Sequence, residues 1–240
     1  MRNFKLKIEY EGTEFHGWQV QPDCRTVQGE LISSAQELST EPVRVVGAGR
    51  TDAGVHATGQ AANILMETRL EAHTILKALN ARLPKDVIVK SVEETSLEFN
   101  ARFDAKRRTY RYIFINRKTA LWRRYFYEVP ELLDTAAMRK ALYSLIGEKD
   151  FSSFASREDA NRSKRCIVQR ADLVESPPFI NLNITADHFL HKMVRTIAGT
   201  VLEAGLGKQI DMDEVIAARS RDSAGPTLPP HALYLVRVDY

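Results

Sequence analysis

The sequence predicts an α+β protein of two halves, each ferredoxin-like, whose sheets merge into one continuous sheet with a cleft between them. Three observations predict it. Short runs alternate apolar and polar residues at the period of a half-buried strand, and stretches with helical spacing separate them. In the first hundred residues these follow a β-α-β-β-α-β order, and the second half resembles it without repeating its sequence. No low-complexity linker divides the halves, so they are expected to pack together.

The elements follow in order. Phe4, Leu6, Ile8 and Tyr10 alternate with Lys5, Lys7 and Glu9, which predicts a strand. Glu11–Glu14 ends it, and Phe15-His16-Gly17-Trp18-Gln19 reads as an aromatic loop. Thr26 is placed to cap a helix carrying Val27, Leu31, Ala35 and Leu38 on one face. Val43 to Val46 and Ala61 to Met66 read as strands. Leu70 to Leu83 reads as a helix stopped by Pro84, and Val87 to Val89 as a returning strand.

In the second half, Tyr110, Tyr112 and Phe114 alternate on a predicted strand, so the two tyrosines share a face. A helix is predicted over 132–146, a polar loop over 152–164, and a hairpin from 166–174 and 179–185 around Pro177-Pro178. His188 to Ala204 carries the most regular apolar stripe (Leu190, Val194, Ile197, Val201), with Gly205 and Gly207 ending it. Leu233 to Val238 is the last predicted strand.

A chain of 240 residues, 44% hydrophobic and 27% charged, has the composition of an ordinary globular protein. No stretch reaches the ~18 apolar residues of a membrane helix. The opening run Met1–Lys7 lacks the apolar stretch of a signal peptide. Two distant cysteines, Cys24 and Cys166, make no disulfide framework, so a cytoplasmic location is expected.

The net charge of +3 is unevenly spread. Arg102 to Arg124 holds nine basic residues and one acid, Asp104, for a local charge of +8; the remainder carries −5. Such a block marks either a polyanion-binding patch or a solvated face. Within it, Lys106-Arg107-Arg108-Thr109-Tyr110-Arg111-Tyr112 interleaves rings with cations. Cations neutralise phosphates, and a ring stacks on an unpaired base with about 1–3 kcal/mol. The competing reading is an amphipathic strand with core tyrosines, which suits Tyr112 better than Tyr110.

Gly47-Ala48-Gly49-Arg50-Thr51-Asp52-Ala53-Gly54-Val55-His56 follows a β-branched run and holds three glycines in eight residues. Two readings stand for Asp52: a chemical group displayed by a tight turn, or a side chain bonding its own turn. A dinucleotide loop would need glycine where Asp52 stands, and a phosphate loop would need Gly-Lys-Ser/Thr. Metal binding is poorly supported, because only His188 and His191 lie close at helical spacing and no cysteine pair accompanies them. A Cys–His nucleophile lacks a helix-start or glycine-turn setting. Arg195, inside the most regular helix, either meets an acidic partner or snorkels to the surface.

Together these residues resemble the tRNA pseudouridine synthase A family over nearly the whole chain. The resemblance runs through Tyr10-Glu11-Gly12, Gly17-Trp18-Gln19 and Thr26-Val27-Gln28 to Gly49-Arg50-Thr51-Asp52-Ala53-Gly54-Val55-His56. It continues through Asn100-Ala101-Arg102-Phe103, Arg107-Arg108-Thr109-Tyr110-Arg111-Tyr112, Gly147–Phe151, His191-Lys192-Met193-Val194-Arg195 and Pro229–Leu235. Ala232 stands where the family pattern has glycine.

The resemblance implies the pseudouridine synthase fold: two ferredoxin-like halves, here 1–104 with the Asp52 loop and 105–240 with Tyr110 and Arg195, sharing a mixed, mainly antiparallel sheet. It implies isomerisation of uridine to pseudouridine at positions 38, 39 and 40 of the tRNA anticodon stem-loop. A homodimer is implied, with tRNA as partner and no membrane, cofactor or metal. It implies Asp52 as nucleophile, Arg195 as partner of its carboxylate, and Tyr110 in contact with the target base. Chemically, a carboxylate can attack the sugar or help remove its proton. An arginine ~4 Å away supplies up to about 4 kcal/mol at an effective dielectric of 20, before desolvation. The uridine must also leave its stack, at a few kcal/mol. Arg50 is expected to fill the vacated space or hold a phosphate, and Arg107 and Arg108 to meet the RNA backbone. Two alternatives are a non-catalytic RNA-binding module, which leaves Asp52 unexplained, and a nucleotide-dependent enzyme, which lacks its phosphate loop.

Overall fold

The computed structural model describes residues 1–160 and 163–240. Among the described residues the chain forms ten strands and five α-helices, an α+β fold with antiparallel pairings outnumbering parallel ones. The chain divides into two compact units, Met1–Lys106 with Tyr234–Tyr240, and Arg107–Leu233.

The first unit contains β1 (Arg2–Tyr10), α1 (Val27–Gln36), β2 (Arg44–Gly47), β3 (His56–Met66), α2 (Ala72–Arg82) and β4 (Val87–Thr95), the expected β-α-β-β-α-β order. The last strand of the chain, β10 (Leu233–Asp239), pairs parallel with β3 through Tyr234 and Leu235 and groups with this unit. The alternation in β1 buries Phe4, Leu6, Ile8 and Tyr10. On the opposite face, buried Asn3 donates to the carbonyls of Ser96 and Phe99 and accepts from Asn63, whose own oxygen takes the Ala101 amide. Each of these buried amide groups is satisfied, as burial requires.

Thr26 caps α1 by accepting from the Gly29 amide. Strand β3 starts five residues earlier than its apolar run predicts. β1 supports it across Ile8–Gln60 and Tyr10–Ala57, and β10 at His56 and Ala57. Gly59 is needed there, because a Cβ would lie 2.1 Å from the Val236 carbonyl oxygen.

The second unit contains β5 (Arg107–Ile115), β6 (Tyr127–Glu128), α3 (Thr135–Tyr143), β7 (Gly147–Asp150), β8 (Arg165–Ser176), β9 (Phe179–Ala186), α4 (Met193–Gly205) and α5 (Met212–Ala218). β9 lies between β5 and β8, as β3 lies between β1 and β2, and β7 extends the far edge. The predicted hairpin is therefore β8–β9. Two short 3₁₀ turns, Ser152–Phe154 and Arg157–Asp159, occupy the predicted 152–164 loop, of which residues 161 and 162 lie outside the described residues.

Two helices are shorter than their patterns suggest. α3 starts only at Thr135, where Asp134 accepts from the Ala137 amide as N-cap. α4 starts at Met193 rather than His188, because Lys192 takes the left-handed conformation (φ 62°) and cannot continue a helix. The preceding turn is tied elsewhere: the His191 amide donates to the Asp159 carboxylate at 2.8 Å.

Candidate active site

The Asp52 turn is built by two loops. The loop after β1 runs beneath the turn that joins β2 to β3. Its Trp18 amide donates to the Thr51 carbonyl, and its Phe15 carbonyl accepts from Gly54. Two glycines make this approach possible. A Cβ on Gly12 would sit 2.1 Å from the Val55 oxygen, and one on Gly17 would sit 2.6 Å from the Thr51 oxygen, where φ is also +89°. Trp18 is buried flat under Gly47, whose missing Cβ would lie 2.4 Å from the indole.

Side chains complete the clamp. The Tyr10 hydroxyl and Thr51 hydroxyl are 2.7 Å apart, and burial raises the phenol's pKa, so it remains protonated. Gln60 donates to the Gly49 carbonyl at 2.9 Å. His56 is buried, stacks on Tyr234 at 4.9 Å, and accepts the Gly12 amide on Nδ1. That bond requires a bare Nδ1, so the nearby Glu11 carboxylate, 3.9 Å away, faces a neutral ring rather than an imidazolium.

The turn thus fixes the residues on either side of Asp52, leaving Asp52 half-buried and Arg50 exposed. Three of its amides donate to intrachain carbonyls: Ala48 to Ala61, Gly54 to Phe15, Val55 to Asp52. With the Asp52 carboxylate in it, this loop is poorly suited to cradle a phosphate. It presents side chains.

In the second unit, Tyr110 lies on β5 with only 8% of its surface exposed, edge-on to the Phe189 ring at 5.0 Å. Tyr112, two residues on, is fully buried and donates to the Pro229 carbonyl at 3.0 Å, so the core reading holds for it. Arg107 is exposed; Arg108 donates to the Asp187 carbonyl at 2.7 Å. Arg195 is half-buried on α4, and its Nε donates to the Leu228 carbonyl at 2.7 Å while the Leu228 amide donates back to the Arg195 carbonyl. This doubly bonded strap, residues 224–229, seats on small residues of α4. A Cβ on Gly199 would fall 1.9 Å from the Pro226 oxygen, and Thr200 accepts the Gly225 amide at 2.8 Å.

The Cys166 thiol lies 3.4 Å from His188 Nε2, a contact that suggests a nucleophile. Its surroundings argue otherwise. Burial, together with the charges of Asp187, Asp159 and Asp150, pushes its pKa up to about 12, so it is a thiol at neutral pH. Among the described residues, no three or more His, Cys, Asp or Glu side chains are grouped to hold a metal ion. Nor is any helix long and apolar enough to cross a membrane.

The family model for tRNA pseudouridine synthase matches residues 7–104 and 141–240, more than half of the chain. The chain belongs to the tRNA pseudouridine synthase family. A tRNA pseudouridine synthase A of Caldicellulosiruptor saccharolyticus is 43% identical over 244 residues, and one of Rhodopseudomonas palustris strain BisB5 is 42% identical over 250. One of Acetivibrio thermocellus is 38% identical over 244. Each alignment covers the whole of both chains.

Within a tRNA pseudouridine synthase, an isomerase, the matched stretches take in Asp52, Arg50 and Arg195, whereas Tyr110, Arg107 and Arg108 fall in the unmatched 105–140. Sequence reasoning noted Gly12, Gly17 and Trp18 as resemblance motifs without assigning them a task; the structure supplies one, the bed under the turn. It missed Phe189 and the strap at Leu228. Neither carries a local signal, because each is defined by what it touches across a fold.

Proposed function

We propose that this chain isomerises uridine to pseudouridine at positions 38, 39 and 40 of the tRNA anticodon stem-loop, with Asp52 as nucleophile. The observation that carries the reading is the Asp52 turn. Its backbone is held on both flanks by the loop after β1, and it carries a half-buried carboxylate.

The reaction needs such a group. The C1′–N1 glycosidic bond breaks as the Asp52 carboxylate bonds to C1′. The detached uracil turns, C5 bonds to C1′ as the carboxylate leaves, and the C5 proton departs to solvent while N1 gains one. Atoms balance without an oxidant or a cofactor. A carboxylate fixed in advance avoids the reorganisation cost of ordering it in each turnover. Arg195 pairs with this carboxylate. The exposed guanidinium of Arg50 occupies the space the flipped uridine vacates or holds its phosphate. Tyr110 contacts the flipped base, and Arg107 and Arg108 meet the RNA backbone. The protein works as a cytoplasmic homodimer.

Release of tritium from tRNA carrying C5-labelled uridine tests the reading. Wild-type protein is expected to release it, and Asp52→Asn to bind the same tRNA and release none. Turnover by Asp52→Asn would remove the nucleophile assignment.

A further inference from the structure

We infer that residues 117–126 form a second tRNA-contact surface, separate from the nucleotide being isomerised. The inference rests on the proposed tRNA substrate. The segment follows β5 at the end opposite Tyr110. Ile115 is five residues beyond Tyr110 on an extended strand, roughly 17 Å, or about five base steps of duplex. β6 pairs with Phe114 and Ile115, which keeps the segment at that end.

Its base is firmly built. Asn116 donates to the carbonyls of Val129 and Glu131, and the Thr119 amide donates to Glu128. Trp122, Phe126 and Phe179 form a cluster of rings with centroids 4.9 to 6.3 Å apart. On this base the segment exposes Trp122, Leu121 and Tyr125. From 117 to 127 it carries Arg117, Lys118, Arg123 and Arg124 and no acid, and all four are exposed. The Arg117 guanidinium lies 5.4 Å from the Trp122 ring.

An exposed indole flanked by cations combines the two features that hold unpaired nucleic acid: a stacking face and phosphate neutralisation. The other candidate occupant is a second copy of this chain. An isologous contact centred here would set four cations against four cations, which disfavours it, whereas RNA complements that charge.

The test measures tRNA affinity and steady-state kinetics for Trp122→Ala, Trp122→Phe and the double variant Arg117→Gln/Arg123→Gln. Sedimentation and circular dichroism confirm assembly and folding. Trp122→Ala is expected to raise Kd and KM for full tRNA about 5- to 100-fold with kcat unchanged, while Trp122→Phe keeps most of the affinity. The double variant should flatten the slope of log Kd against log salt by about two. Unchanged Kd and KM in folded variants would overturn the inference, as would a loss of self-association with tRNA affinity intact. Binding is read independently of turnover, so a wild-type protein that binds tRNA without isomerising it would sink the functional proposal and leave this one standing or falling on Kd alone.

Discussion

The backbone on either side of Asp52 is held by the loop after β1. The Thr51 carbonyl lies against Gly17 and the Val55 carbonyl against Gly12, at distances that admit no Cβ. Gly12→Ala is therefore expected to cost on the order of 1–3 kcal/mol by forced backbone displacement. It should also lower kcat more than it raises KM, because the carboxylate shifts while the RNA-binding surface remains. Denaturant titration and steady-state kinetics check both parts; unchanged kcat would mean the bed does not position Asp52. At Tyr110, the edge contact with Phe189 holds the ring on the strand. Tyr110→Ala should reduce turnover at least tenfold in a protein that still folds. The glycine-rich turn after β2 and the core role of Tyr112 were legible in the sequence. The beds beneath them were not, since Gly12 and Gly17 are ordinary turn glycines until a second loop is known to lie within 3 Å.

Elements with strong local patterns were legible, and those made by pairing or packing were not. β1, α1, α2 and the β8–β9 hairpin follow alternation, capping and breaker signals. β7, Gly147–Asp150, has no alternation and becomes a strand by pairing with β8 from Val168 to Arg165. α5 is seven residues long and buries only Met212, Val215 and Ile216; Asp211, accepting from the Asp213 and Glu214 amides, starts it. The early start predicted for α4 failed because the contact of the His191 amide with Asp159 outweighs helical spacing at 188–192.

The packing of α4 on its strap makes a prediction at this scale. Gly199→Ala drives a Cβ into the Pro226 carbonyl and should lower Tm by about 2–10 °C, measured by calorimetry. Two residues beyond the strap, burial depresses the pKa of His231 below the ordinary 6.5. The unfolded chain then binds a proton more readily than the folded one. Stability contributed here is present above pH 6.5 and declines as pH falls through 6.5 toward the folded value. His231→Gln should flatten that part of the stability–pH curve; an unchanged slope would show that other groups set it.

For the molecule as a whole, the uneven charge matters more than its net value. A +8 block in a chain of net +3 implies steep electrolyte dependence of RNA binding, and raising salt from 50 to 200 mM should weaken tRNA affinity by at least tenfold. Salt-insensitive binding would contradict a phosphate-binding role for the block. Chain order does not set the grouping of elements: the final strand belongs with the first unit because its partner is β3. That long-range parallel pairing left no mark in the local sequence beyond an apolar run, Leu233 to Val236. The most direct test of the central claim is to incubate an unmodified tRNA transcript with the wild-type protein and with Asp52→Asn, then map pseudouridine at single-nucleotide resolution. Pseudouridine at positions 38 to 40 with wild type and none with the variant is the predicted result; modification elsewhere, no modification, or modification by Asp52→Asn would contradict it.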